Sequence, residues 1–146
     1  MLSELDSFAD GKRYERLGYD FTLIIRRTAH TFNSVGTDIA PLQQRFNGNP
    51  AFIHPQDMAD GGIQQGDLVS IQSPYDEVQA RACPEKTLRR GVVALTHGWG
   101  KNPDQTSDID IDGVNIGQLI SVEEHYARYS GIPLMSGIPI TLRRVS

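Results

Sequence analysis

Cysteine is nearly absent: Cys83 stands alone in 146 residues. A lone thiol excludes an internal disulfide and a multi-thiolate metal site. Long hydrophobic runs are also missing, since no stretch approaches the roughly 20 apolar residues of a membrane-spanning helix. The opening segment, MLSELDSFADGKRYERLG, is charged and has no apolar centre, so it does not read as a secretory signal. The expected setting is therefore the cytoplasm, or the periplasm if the chain belongs to an exported enzyme. Positive charge is scarce as well. Fourteen Lys and Arg stand against 18 Asp and Glu, a formal net charge of -4. That excludes a general nucleic-acid surface, which needs a basic face to displace counterions, but not a local pocket for an anion. The four histidines, His30, His54, His97 and His125, lack the HxH or HxxxH spacing of a metal site.

What is present is turn chemistry around short apolar runs. Gly contributes 14 residues and Pro 8, with 38% hydrophobic residues overall, so one modest core with many short elements is expected. Residues 1–18 read as a flexible lead-in and 19–146 as one domain. FTLIIRR (21–27) and AFIH (51–54) read as strands. Residues 28–50 are loop, with one short helical candidate in PLQQRF beginning at Pro41. A helix of one or two turns is expected from Pro55, with Asp57 favoured in its first turn and Gly61-Gly62 as its stop. Gly66-Asp67 reverses the chain. LVSIQS (68–73) and VQARA (78–82), joined by PYDE, form a hairpin. VVALT (92–96) is a continuous apolar run and so a buried strand. Residues 98–113 read as polar loop, 114–120 as a short helix or strand, and ITLRRV (140–145) as a final alternating strand. About six short strands with small helices indicate a mainly β barrel or sandwich.

Three segments carry candidate chemistry. In HTFNSVG (30–36), Thr31, Asn33 and Ser34 offer short donors and turning backbone N–H groups, with Arg26 and Arg27 just upstream to supply a charge-assisted contact. The same residues also suit a plain turn. In THGWG (96–100), glycines flank His97 and Trp99 and allow a flat ligand close to the backbone. The alternative is a Trp lid on the core beside a satisfied histidine. Asp108-Ile-Asp110-Ile-Asp112-Gly113 fits the first six positions of a calcium loop, but the twelfth is Leu119, so it reads as a solvated acidic loop. Nothing adjacent to Cys83 lowers its pKa, so it reads as structural.

The order HTFNSVG, FIHPQDMADGGIQQGDLVSIQS, GVVALTHGWG, GVNIGQLI resembles the C-terminal domain of dimethyl-sulfoxide-reductase-type molybdopterin oxidoreductases, over roughly residues 20–145. The resemblance implies a six-stranded double-psi β-barrel of the aspartate-decarboxylase-like kind. It also implies a domain that holds molybdopterin guanine dinucleotide, with molybdenum or tungsten ligated by another domain. Cofactor contacts implied by position are His30, Thr31, Asn33, Ser34, His97, Gly98, Trp99 and Asn115. Many relatives carry Asn where this chain has His54. The implied partners are the remaining domains or catalytic subunit of such an oxidoreductase, with no nucleic acid and no membrane insertion. The domain alone would be catalytically silent, because a cofactor carries the chemistry and the protein supplies binding and orientation. Two other readings belong to the same barrel. A self-processing pyruvoyl enzyme needs a Gly-Ser bond, and the chain has none. A protein-interaction or substrate-recognition module stands as the alternative. A hydrolase is disfavoured by the lack of a Gly-x-Ser-x-Gly elbow.

Overall fold

The computed structural model describes residues 14–15, 17–28, 34–35, 48–101, 108–121, 123, 126–127 and 129–145. Six strands emerge where short β-branched or alternating runs are bounded by turn residues: β1 (Phe21–Arg26), β2 (Ala51–Ile53), β3 (Leu68–Gln72), β4 (Glu77–Pro84), β5 (Val92–Thr96) and β6 (Ile138–Arg144). Helix α1 (Pro55–Asp60) follows β2, α2 (Ile109–Asp112) follows β5, and a 3-10 turn covers Ile116–Leu119.

The strands close into a barrel in the order β1-β5-β2-β4-β3-β6. β1 pairs with β5, and β2 with β4, in parallel; the other four junctions are antiparallel. Two parallel pairings reached by crossovers, set among antiparallel ones, make this a double-psi β-barrel, the fold the sequence predicts. Closure leaves no unpaired edge among the six described strands. Inward positions follow the period of two in the hairpin, where Val69, Ile71, Val78, Ala80 and Ala82 are buried between more exposed neighbours. In β5 the run Val93 to Thr96 is buried throughout. Leu23, Ile53, Ile71, Leu95, Ile116, Leu119 and Ile140 form the deepest layer, each burial contributing about 1.5–3 kcal/mol.

Local chemistry sets the ends of α1. Pro55 occupies the first turn, and His54 Nδ1 accepts from the Gln56 N–H (3.1 Å) as an N-cap. His54 is thus structural. Asp57 is buried and ties α1 to the entrance of β5, accepting from Arg90 Nε (2.9 Å) and the Gly91 N–H (2.8 Å). The hairpin turn closes on Ser73, whose Oγ accepts from the N–H groups of Tyr75 (3.1 Å) and Asp76 (3.3 Å).

The structure departs from the sequence reading in a few places. β4 runs to Pro84, because beyond the stretch Glu77 to Arg81 that pairs with β3 its last three residues pair with β2. β6 begins earlier, at Ile138, where it pairs with β1. The stretch 98–113 is not all loop: Asp108 accepts from the Asp110 N–H (3.0 Å) and caps the single turn of α2. Its carboxylates are engaged, Asp110 with Arg81 (2.8 Å) and Asp112 with Lys101 (2.8 Å). The helical candidate at 41–46 and the first 13 residues of the lead-in lie outside the described residues.

Candidate functional site

The parallel pairing of β1 with β5 puts Arg26 in register with Thr96, so the chain leaves both strands at the same end of the barrel. β2 runs antiparallel to β5 and starts at that end too. Three chain ends therefore meet there: the exit from β1 and the entry into β2, which are the two ends of one connection (27–50), and the exit from β5.

Asn49 holds the last two together. It is 4% exposed, and its side chain is engaged at both ends with backbone. Nδ2 donates to the carbonyls of Thr96 (2.6 Å) and Val114 (3.0 Å), while Oδ1 accepts from the Val114 N–H (2.7 Å). The result is a ledge in which 97–100 lies against 113–115. The Gly100 N–H donates to the Asp112 carbonyl (2.8 Å). Gly100 has φ 84°, and a Cβ there would lie 2.7 Å from the Val114 carbonyl carbon and collide with the Asn115 backbone. Gly113 is equally enclosed, with Asn49 N 3.0 Å and Trp99 Cβ 3.1 Å from where its Cβ would stand. These glycines let two loops approach to backbone contact.

Of the sequence candidates, the structure brings His97, Gly98, Trp99 and Asn115 into this ledge. His97 is half-buried; burial, with the positive charge of Arg27 added, holds its imidazole below the usual pKa. It is neutral at pH 7 and presents one donor and one acceptor. Gly98 has φ 85° and is half-buried. Trp99 is only 7% exposed, so its indole is part of the packed interior, as in the lid alternative, rather than an open face for a ligand. Asn115 Oδ1 accepts from the Gly117 N–H (2.9 Å) and starts the 3-10 turn, with Nδ2 as the donor end of the side chain. Ser34 is exposed; His30, Thr31 and Asn33 lie outside the described residues.

The two arginines divide their work. Arg26 Nη1 donates to Glu85 (2.8 Å), and its guanidinium lies 4.2 Å from the Phe52 ring centroid. Arg27 is exposed, with its charge acting on His97. Cys83 sits in β4, its thiol pKa raised by burial and by Glu85, in keeping with a structural role. Sequence reasoning missed Asn49, which stands in a Gly-Asn-Pro stretch indistinguishable from turn chemistry.

The donor set suits an anionic, heteroaromatic ligand. Neutral His97 and Asn115 Nδ2 can match ring nitrogens and carbonyls, and Arg27 and Ser34 can match phosphate. Fold and ledge together define a ligand-holding β-barrel module. The chain belongs to the molybdopterin dinucleotide-binding domain family, whose model matches residues 21–139. It is 35% identical over 81 residues to trimethylamine-N-oxide reductase of Haemophilus influenzae, covering 52% of this chain and 10% of that one. It is 35% identical over 63 residues to a tetrathionate reductase chain of Archaeoglobus fulgidus, 43% of this chain and 6% of the relative. The chain thus spans about a tenth or less of these relatives. Among solved structures, acetylene hydratase from Pelobacter acetylenicus superposes with TM-score 0.74 at 17% identity, over 88% of this chain and 19% of that chain, showing the same fold. As a member of the family the chain is a binding domain for a molybdopterin-type cofactor.

Proposed function

We propose that the ledge holds the guanine dinucleotide form of molybdopterin for a larger molybdenum or tungsten oxidoreductase, whose remaining domains close the other side of the cofactor. The observation that carries the reading is the Asn49 clamp, which fixes His97–Gly100 against Val114–Asn115 at the barrel end where the 28–36 loop also departs. In this reading His97 and Asn115 hydrogen-bond the heterocyclic part. The Gly98–Trp99–Gly100 backbone gives it a flat seat. Arg27 and the polar side chains of His30, Thr31, Asn33 and Ser34 meet the phosphates. The bound metal supplies the redox or Lewis-acid chemistry; this chain binds, orients and shields. The scarcity of net positive charge is no obstacle, because a pyrophosphate needs only a few aimed donors.

The test is an NMR titration of the 15N-labelled chain with GDP, with CDP as comparator. Shifts confined to 30–34, 97–99 and 115, larger for GDP than for CDP, are expected. Equal responses to the two nucleotides overturn the guanine assignment. Shifts that map elsewhere overturn the ledge as the site.

A further inference from the structure

One cavity among the described residues lies away from this ledge. It has a volume of about 350 Å³, at the small end of the roughly 300–1,000 Å³ typical of ligand sites. It borders Phe21 and Thr22 at the start of β1 and Ile138 and Pro139 at the start of β6. The ledge sits past the opposite end of β1, about 16 Å away at 3.3 Å per residue.

Its walls have a distinct chemistry. Three tyrosines contribute, Tyr14, Tyr19 and Tyr75. The rings of Tyr14 and Tyr19 stand at 81° with centroids 6.0 Å apart, so they form a corner rather than a stack. Two carboxylates, Glu15 and Asp20, belong to the same lining. Neither makes an ion pair among the described residues, and no Lys, Arg or His is among the described residues of the lining. An aromatic corner presents negative ring faces to a cation, and an adjacent carboxylate adds to that attraction. An anion or a neutral apolar ligand would meet the same two carboxylates at a desolvation cost.

We propose that this cavity is a site for an alkylammonium group, seated on Tyr14, Tyr19 and Tyr75 and balanced by Asp20 and Glu15. The group can arrive on a free small amine or on a lysine side chain of neighbouring polypeptide. The chemistry recognised is the same. The site is independent of the cofactor reading, since it shares no residue with the ledge.

The experiment titrates the 146-residue chain with choline, with Nα-acetyl-lysine methylamide, and with 3,3-dimethylbutan-1-ol, the neutral carbon isostere of choline. The readout is the tyrosine ring signals. Shifts of Tyr14, Tyr19 and Tyr75 with one or both cations, and a clearly weaker response to the isostere, are expected. The tighter of the two cations names the source. Asp20→Asn, an exposed position that leaves the fold intact, should weaken binding by roughly threefold, and Tyr19→Leu by roughly fivefold. An isostere response equal to that of choline, no tyrosine shift with either cation, or unchanged affinity in Asp20→Asn overturns the proposal.

Discussion

Replacing Asn49 with Ala removes three hydrogen bonds at a site 4% exposed to solvent. Each intramolecular bond contributes about 0.5–1.5 kcal/mol net, and each buried group left without a partner costs about 1–3 kcal/mol. The Thr96 and Val114 carbonyls and the Val114 N–H are all left so. Some relaxation toward solvent offsets part of the sum, and about 3 kcal/mol of lost stability is the expected result. At the 2–4 °C per kcal/mol usual for domains near this size, that is a fall in Tm of roughly 6–12 °C. Asn49→Asp separates hydrogen bonding from volume. The carboxylate still accepts from the Val114 N–H, but its other oxygen faces two carbonyls that Nδ2 reached at 2.6 and 3.0 Å. At pH 7 it should cost at least as much as Ala. Burial beside carbonyls raises the folded-state pKa of the new carboxyl above its unfolded value of about 3.9. The Asp variant should therefore regain stability relative to the Ala variant as pH falls through the folded-state pKa, because a protonated carboxyl donates to a carbonyl again. Urea denaturation at pH 7 and pH 5 measures both effects. Amide exchange at Gly98, Gly100 and Val114 should accelerate in both variants. A loss below about 1 kcal/mol in Asn49→Ala, or an Asp variant as stable as the parent at pH 7, would refute the clamp.

Other outcomes follow from the same geometry. Gly100→Ala and Gly66→Ala impose similar backbone strain, at φ 84° and 85°, but only Gly100 has backbone in the path of a Cβ. Gly66→Ala should cost about 1 kcal/mol and Gly100→Ala at least twice that by chemical denaturation. Asp57→Ala leaves the Gly91 N–H without its acceptor at the α1–β5 junction, and about 2 kcal/mol should be lost. Asp57→Asn should lose less, since its oxygen still accepts. The Arg26 hydrogen bond, followed by those from Thr87, lowers the Glu85 carboxyl to about 2. A depressed carboxyl adds stability that is present above the ordinary value of 4.5 and disappears as pH falls toward about 2. Glu85→Gln should flatten the urea midpoint against pH across that window, while the parent declines.

Much of the architecture is legible in local pattern. β5 is bounded at Val92 and Thr96 as its apolar run indicates, and α1 follows from Pro55, Asp57 and the glycines that end it. Boundaries slip where pairing is non-local. β4 extends to Pro84 because β2, some thirty residues earlier, supplies a second partner. The acidic run at 108–112 is helical because Asp108 caps it and Arg81 and Lys101 neutralise it, and those cations come from another strand and a loop. Of the site, the glycines and His97 are visible in sequence because turn residues around a histidine form a local motif.

The sequence by itself determined the strand content, the glycine positions that tolerate left-handed backbone, and, through the order of its motifs, the family. Those are local properties or their succession along one chain. Only the tertiary structure decided what Asn49 does, that Arg26 is bound into the barrel wall while the charge of Arg27 acts on His97, and that Trp99 is buried. Each depends on which strand ends share a pole of the barrel. That is set by the parallel β1–β5 pairing, between residues some seventy positions apart, and no local pattern encodes it.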